Sequence, residues 1–178
     1  MSTKNKGFSL IELVLVIFIF SIITGVLFGF LSHARNSWYI GGSKVDLQNE
    51  TRRALHEITK DLRQTRASTI TGVPEDNLNH NSIIFQIPTN ISDAGVTTWS
   101  DPIQYILGGL NNRQILKTDG TTQRVAANDI SQLAFRRDPA KANTIYITII
   151  GQKASFLQIA IPQPITITIN SEIKMRNL

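Results

Sequence analysis

From Phe8 to Leu31 the chain runs 24 residues with a single ionisable side chain, Glu12, and 18 of the 24 are Leu, Ile, Phe or Val. A helix rising about 1.5 Å per residue would reach about 36 Å over that length, enough to cross a hydrocarbon core about 30 Å thick. Each of those apolar residues favours insertion by about 0.3–0.6 kcal/mol, whereas one carboxylate costs about 2.5–3.5 kcal/mol at the membrane centre and less near its edge. A membrane span is therefore expected, with Glu12 tolerated near its start, and an acid kept in such a place implies a use for it. Lys4 and Lys6 precede the run and no acid does, which predicts a cytoplasmic amino terminus and an exported body. Trp38 and Tyr39 follow about two turns beyond the run, placed either for the far interface or for ordinary helix packing.

Two plainer readings compete with this one. A secretory signal peptide has an apolar region of about 7–15 residues closed by a small-x-small site. Here the apolar residues pass without such a site, and Ala34 alone does not make one. A signal anchor needs only charge and length, and it leaves Glu12 without a role.

The residues Gly7-Phe8-Ser9-Leu10-Ile11-Glu12, set between a short basic leader and a long apolar helix, resemble the processing signal of type IV pilins and of the pseudopilins of type II secretion systems. The resemblance implies cleavage between Gly7 and Phe8 by a prepilin peptidase on the cytoplasmic side, methylation of the Phe8 nitrogen, and a mature chain from Phe8 to Leu178. It also supplies a role for Glu12. Cleavage leaves an ammonium at the start of the helix, and a carboxylate one turn along can pair with the ammonium of a neighbouring subunit in a low-dielectric filament core, setting axial register. The alternative for Glu12 is that it reaches back to the interface.

The same resemblance implies an α+β, pilin-like fold: a long amino-terminal helix, transmembrane in its first half and amphipathic in its second, packed on an antiparallel sheet. The expected organisation is a cleaved cytoplasmic leader at 1–7, a transmembrane and assembly helix at 8–31, an amphipathic continuation at 32–67 and a β-rich exported domain at 68–178. The implied function is that of a structural minor subunit of a type IV pilus or a secretion pseudopilus. Its partners would be the prepilin peptidase, other pilins or pseudopilins (minor ones especially), the inner-membrane assembly platform and membrane lipid. The implied location is the bacterial inner membrane and then the filament. Major subunits of the family often carry a Pro within the span, and none stands here. Asp61-Leu62-Arg63-Gln64, the strand-rich body and the terminal Lys174-Met175-Arg176-Asn177 are similar to J-type minor pseudopilins and W-type minor pilins. The tip-most subunits of secretion pseudopili typically lack the acid that Glu12 supplies, which argues against that position.

Past the span, Leu47, Thr51, Ala54, Ile58 and Leu62 recur at helical spacing while Glu50, Arg52, Arg53, Glu57, Lys60 and Arg63 lie mostly off that stripe. The pattern predicts a half-buried helix to about Ala67, with Glu50–Arg53 and Glu57–Lys60 pairing along it and Gly25, Gly29, Gly41 and Gly42 weakening it locally. After Ala67 the pattern turns to short β-branched runs. Strands are expected at Ser82–Pro88, Ile103–Leu107, Arg113–Thr118, Gln123–Ala126, Ile130–Arg136, Thr144–Ile150, Leu157–Ile161 and Ile165–Met175. Gly108-Gly109, Asn111-Asn112 and Asp119-Gly120 supply tight turns and hence antiparallel meanders. The stretches Gly72–Asn81 and Asn90–Trp99 are polar and expected as surface loops.

Catalysis and ligand chemistry find little support. With 42% hydrophobic and 17% charged residues in 178, the chain suits one span plus one globular domain. There is no Cys, which removes disulfides, thiolate zinc sites and a cysteine nucleophile. His33, His56 and His80 have no spacing that joins two on a metal or beside a nucleophile. Glu75-Asp76-Asn77 and Asp119-Gly120 lack the ordered spacing of a calcium loop and read as turns. No enzyme activity, metal or cofactor is expected. The pI is about 9.7, yet residues 32–178 carry 16 Lys and Arg against 12 Asp and Glu, a net of +4 with the signs interleaved. That field is weak for nucleic acid, and Arg136-Arg137 is an isolated pair. The alternatives kept open are a membrane-anchored binding protein that is never assembled, and a DNA-uptake minor pilin in which Arg136, Arg137 and Lys141 would make the contacts.

Overall fold

A computed structural model describes residues 9–93, 95–154 and 164–175. One helix, α1, runs from Leu10 to Leu62 without a break. Among the described residues nine strands follow: β1 (Ser82–Phe85), β2 (Pro88–Ile91), β3 (Thr97–Trp99), β4 (Ile103–Gly108), β5 (Gln114–Asp119), β6 (Thr122–Ala127), β7 (Ile130–Arg137), β8 (Thr144–Lys153) and β9 (Ile165–Lys174). The chain separates into two compact units, residues 1–41 and 42–178.

In the first unit every residue from Ser9 to Leu31 is exposed. The hydroxyls set among the apolar side chains are satisfied inside the helix: Ser21 Oγ donates to the Ile17 carbonyl and Thr24 Oγ1 to that of Phe20, both at 2.8 Å. A hydroxyl so paired leaves no unmet donor where water is absent. The four glycines do not interrupt the helix.

The second unit is held by the stripe expected of the helix. Leu47, Thr51, Ala54, Ile58 and Leu62 are all buried, and Ala54, Ile58 and Leu62 join a core with Ile83, Phe85, Tyr105 and Ile115 from β1, β4 and β5 and with Leu133, Phe135 and Ile147 from β7 and β8. The strands form antiparallel sheets in the orders β1-β4-β5-β6 and β7-β8-β9, with β2-β3 as a separate hairpin. Alternation along β8 sends Ile145, Ile147 and Ile149 inward and continues to Gly151. A Cβ on Gly151 would stand 2.7 Å from Thr51 Oγ1 and 2.9 Å from Leu47 Cδ1, so this glycine lets α1 lie directly on the strand.

The structure departs from the expected elements in several places. Helix α1 stops at Leu62, short of Ala67: its last turn tightens as Gln64 N–H and Thr65 N–H bond to carbonyls three residues back. Thr65 Oγ1 is then drawn to the Gln86 carbonyl at 2.6 Å, a tertiary partner no helix pattern reveals. The stretch Asn90–Trp99 is not a simple loop but contributes to the hairpin of β2 and β3. Ser82–Pro88 divides, with β1 ending at Phe85. Gly72–Asn81 contains a buried anchor, Val73. The expected strand at Leu157–Ile161 lies outside the described residues. The turns behave as their residues require, with Asn111 and Asn112 left-handed between β4 and β5, and Gly120 between β5 and β6.

Candidate assembly site

The amino-terminal end of α1 carries one of the groups that the sequence singled out, Glu12. Gly7, Phe8, Lys4 and Lys6 lie outside the described residues. Glu12 sits in the first turn, and its carboxylate is engaged by the helix's own start. Ser9 N–H donates to Glu12 Oε2 at 2.9 Å, Ser9 Oγ approaches the same oxygen at 3.2 Å, and Glu12 N–H in turn reaches Ser9 Oγ at 3.3 Å. Ser9 and Glu12 thus bond each other's amides reciprocally, which is a capping box, with Glu12 N–H shared with the Ser9 carbonyl at 3.1 Å, and the negative charge also faces the positive end of the helix dipole. Ser9 was not among the expected functional residues, although its signal, Ser-x-x-Glu ahead of an apolar run, is plain in the sequence. Among the described residues the second oxygen, Oε1, has no bonded partner, so the carboxylate can hold the cap and accept another donor at once.

A second polar assembly lies where α1 meets β4, β5 and β6. Tyr105 Oη donates to Asp61 Oδ2 at 2.7 Å and Lys117 Nζ to the same oxygen at 2.6 Å. Glu57 stands 3.5 Å from Lys117 and also pairs with Arg124. Glu57 therefore turns to the sheet rather than to Lys60, because two cations held by β5 and β6 outweigh one flexible neighbour. Burial pushes the Tyr105 hydroxyl far above its ordinary range, and the Asp61 carboxylate beside it adds to the effect. Glu50 and Arg53 do pair as expected, at 3.1 Å. They also close the end of β6: Arg53 donates to the Ala126 carbonyl at 3.1 Å and Glu50 accepts from Asn128 N–H at 3.3 Å. Asp61, Tyr105 and Lys117 escaped the sequence reading because they are far apart along the chain.

The residues held in reserve for nucleic acid do not form a free basic patch. Arg137 is mostly buried, bonded to Glu75 at 2.8 Å and to the Ala142 carbonyl at 2.6 Å. Arg136 stacks on Tyr146, its guanidinium carbon 4.7 Å from the ring centre. Lys141 is held above the ordinary lysine range, first by the Tyr146 hydroxyl and then by Glu172. His80 pairs with Asp76 at 3.1 Å, and the Leu78 amide with His80 holds the Asp76 carboxyl below its usual range. Asp76 Oδ1 accepting from Leu78 N–H at 2.9 Å is an Asx turn. Among the described residues no three His, Asp or Glu side chains gather as metal ligands.

Residues 2–28 match the prokaryotic N-terminal methylation motif. Compared with curated proteins and with solved structures, the chain shows no significant match.

Proposed function

From a chain whose amino terminus is a prepilin-type methylation motif, the mark of the type IV pilin and pseudopilin family, we propose a non-catalytic minor subunit of a type IV pilus or secretion pseudopilus. The observation that carries this reading is the coincidence of that motif with a helix whose large apolar side chains from Leu10 to Leu31 are exposed among the described residues. Such a surface demands lipid first and neighbouring helices afterwards, since large exposed apolar areas are not stable in water.

In the proposed sequence the precursor sits in the inner membrane with Lys4 and Lys6 on the cytoplasmic side. The prepilin peptidase cuts between Gly7 and Phe8, and the Phe8 nitrogen is methylated. The new ammonium adjoins Ser9, the capping residue. Glu12 keeps its cap through Oε2 and offers Oε1 to the ammonium of the next subunit, so assembly does not have to break the helix start. Residues 42–178 stay outside the membrane and meet sibling subunits.

Intact mass and filament incorporation test the reading together. The membrane-extracted wild type should have lost Met1 to Gly7 and gained one methyl group. Glu12→Gln keeps size and capping capacity but removes the charge, so processing should persist while incorporation falls. Ser9→Ala should weaken the cap by about 1 kcal/mol and leave incorporation nearly intact. A full-length chain, or Glu12→Gln assembling as well as wild type, would count against the subunit reading and favour a membrane-anchored protein that never assembles.

A further inference from the structure

On the face of the β7-β8-β9 sheet turned away from α1 lies an open cleft of about 640 Å³, a size typical of ligand sites, about 300–1,000 Å³. Its floor is set by register. Arg136, Tyr146 and Glu172 are cross-strand neighbours in one row, with Thr148 and Asn170 paired in the next. Its wall is Asn77–Asn79, part of a segment annealed to the edge of β7: His80 and Phe135 exchange two backbone bonds of 2.8 Å, and Asn77 N–H bonds to the Arg137 carbonyl at 3.0 Å.

The polar groups in this cleft are pre-aimed. Arg136 Nη1 donates to Asn77 Oδ1 at 3.1 Å while its guanidinium stacks on Tyr146. Thr148 Oγ1 donates to Asn170 Oδ1 at 2.9 Å. Both carboxamide oxygens are thereby engaged from within the protein, and the two NH₂ groups, without a hydrogen-bond acceptor among the described residues, remain as donors. Glu172 supplies acceptors, and Asn79 supplies both kinds.

We propose that this cleft binds a short neutral oligosaccharide. Vicinal hydroxyls donate and accept together, which is what a lining of carboxamides, one carboxylate and one guanidinium complements. An anion would meet Glu172, and a simple cation would meet Arg136 and also Lys141, which stands beside Tyr146 and Glu172. An apolar ligand would strand the amides without partners, at a cost that outweighs the contact it gains. A peptide strand would seek main-chain pairing, and the adjacent edge of β7 is already taken by the Asn77–His80 segment. The site is separate from α1, and its test does not depend on assembly.

The test uses the full chain in a sugar-free zwitterionic detergent, titrated calorimetrically with maltotriose, cellotriose and the trimer of N-acetylglucosamine. At least one trimer should bind saturably. Asn170→Ala and Tyr146→Ala should each weaken it about tenfold or more, as expected for losing a hydrogen bond or a stacking surface in a preformed site. Asn79→Ala alters an exposed side chain that no strand depends on, and should weaken binding without change in the circular dichroism spectrum, so loss of fold cannot imitate the result. Gln123→Ala, on β6, should bind as wild type does. No saturable binding of any trimer, or binding unaffected by Asn79→Ala and Asn170→Ala, would overturn the proposal.

Discussion

Between Leu10 and Leu31 the side chains of α1 are all exposed, whereas from Leu47 to Leu62 the stripe facing the sheet is buried. The two stretches share a backbone conformation and differ in what stabilises it. The first is apolar on all sides, carries its one acid in a capping box, and is exposed throughout among the described residues. The second is apolar on one side only, and the acids beside its stripe, Glu50, Glu57 and Asp61, are each met by a cation or an amide. An exposed apolar helix needs cover of another kind, while one packed on a sheet is an internal part of a domain.

The largest test of that contrast is all-or-none. Replacing Gly7 by Val should leave the precursor uncut, read as retention of residues 1–7 by mass spectrometry, with the stability of residues 42–178 unchanged. Next come substitutions of the same residue type in the two stretches. Ile58→Ala should destabilise the unit of residues 42–178 by about 2–5 kcal/mol in urea unfolding, the usual cost of emptying a buried site, while Ile19→Ala should leave that transition where it was. Equal effects would mean that the apolar stretch is covered by its own chain.

Gly151→Ala probes the close approach of helix and strand. The added methyl meets Thr51 and Leu47 well inside contact distance, and the cost should be about 1–3 kcal/mol, again absent for Gly25→Ala, where nothing lies within 4 Å. The clasp at Tyr105 makes a prediction in pH. Its folded pKa is raised above an unfolded value of about 10, so the stability it contributes is present below about pH 10 and is lost as pH rises beyond. Urea midpoints at pH 8 and pH 10.5 should therefore separate in wild type and draw together in Tyr105→Phe. The smallest effect is expected at the exposed Glu50–Arg53 pair. As a surface ion pair it contributes about 0.3–0.5 kcal/mol, and an Arg53→Ala loss much beyond 1 kcal/mol would show that closing the end of β6 matters more than the charge.

The sequence by itself determined the features that are local. Apolar length, a 3.6-residue stripe, alternation in Thr144–Ile149 and turn residues such as Asn111-Asn112 and Asp119-Gly120 each act within a few residues, and so the helix, most of the strands and the buried face could be read directly. The amino-terminal motif is equally local, and so is the capping signal Ser9–Glu12, in which the hydroxyl three residues before the charge marks the helix start. Only the tertiary structure decided the rest. Asp61 meets Lys117 across 56 positions of chain, and Arg136, Tyr146 and Glu172 become neighbours only when β7, β8 and β9 align. The end of α1 at Leu62 and the pairing of Thr65 with Gln86 were likewise set by partners distant in sequence. Periodicity reports which face of an element will be buried; it carries no record of which charge or hydroxyl the facing element brings, because that depends on register between strands and on how closely Gly151 lets the helix approach.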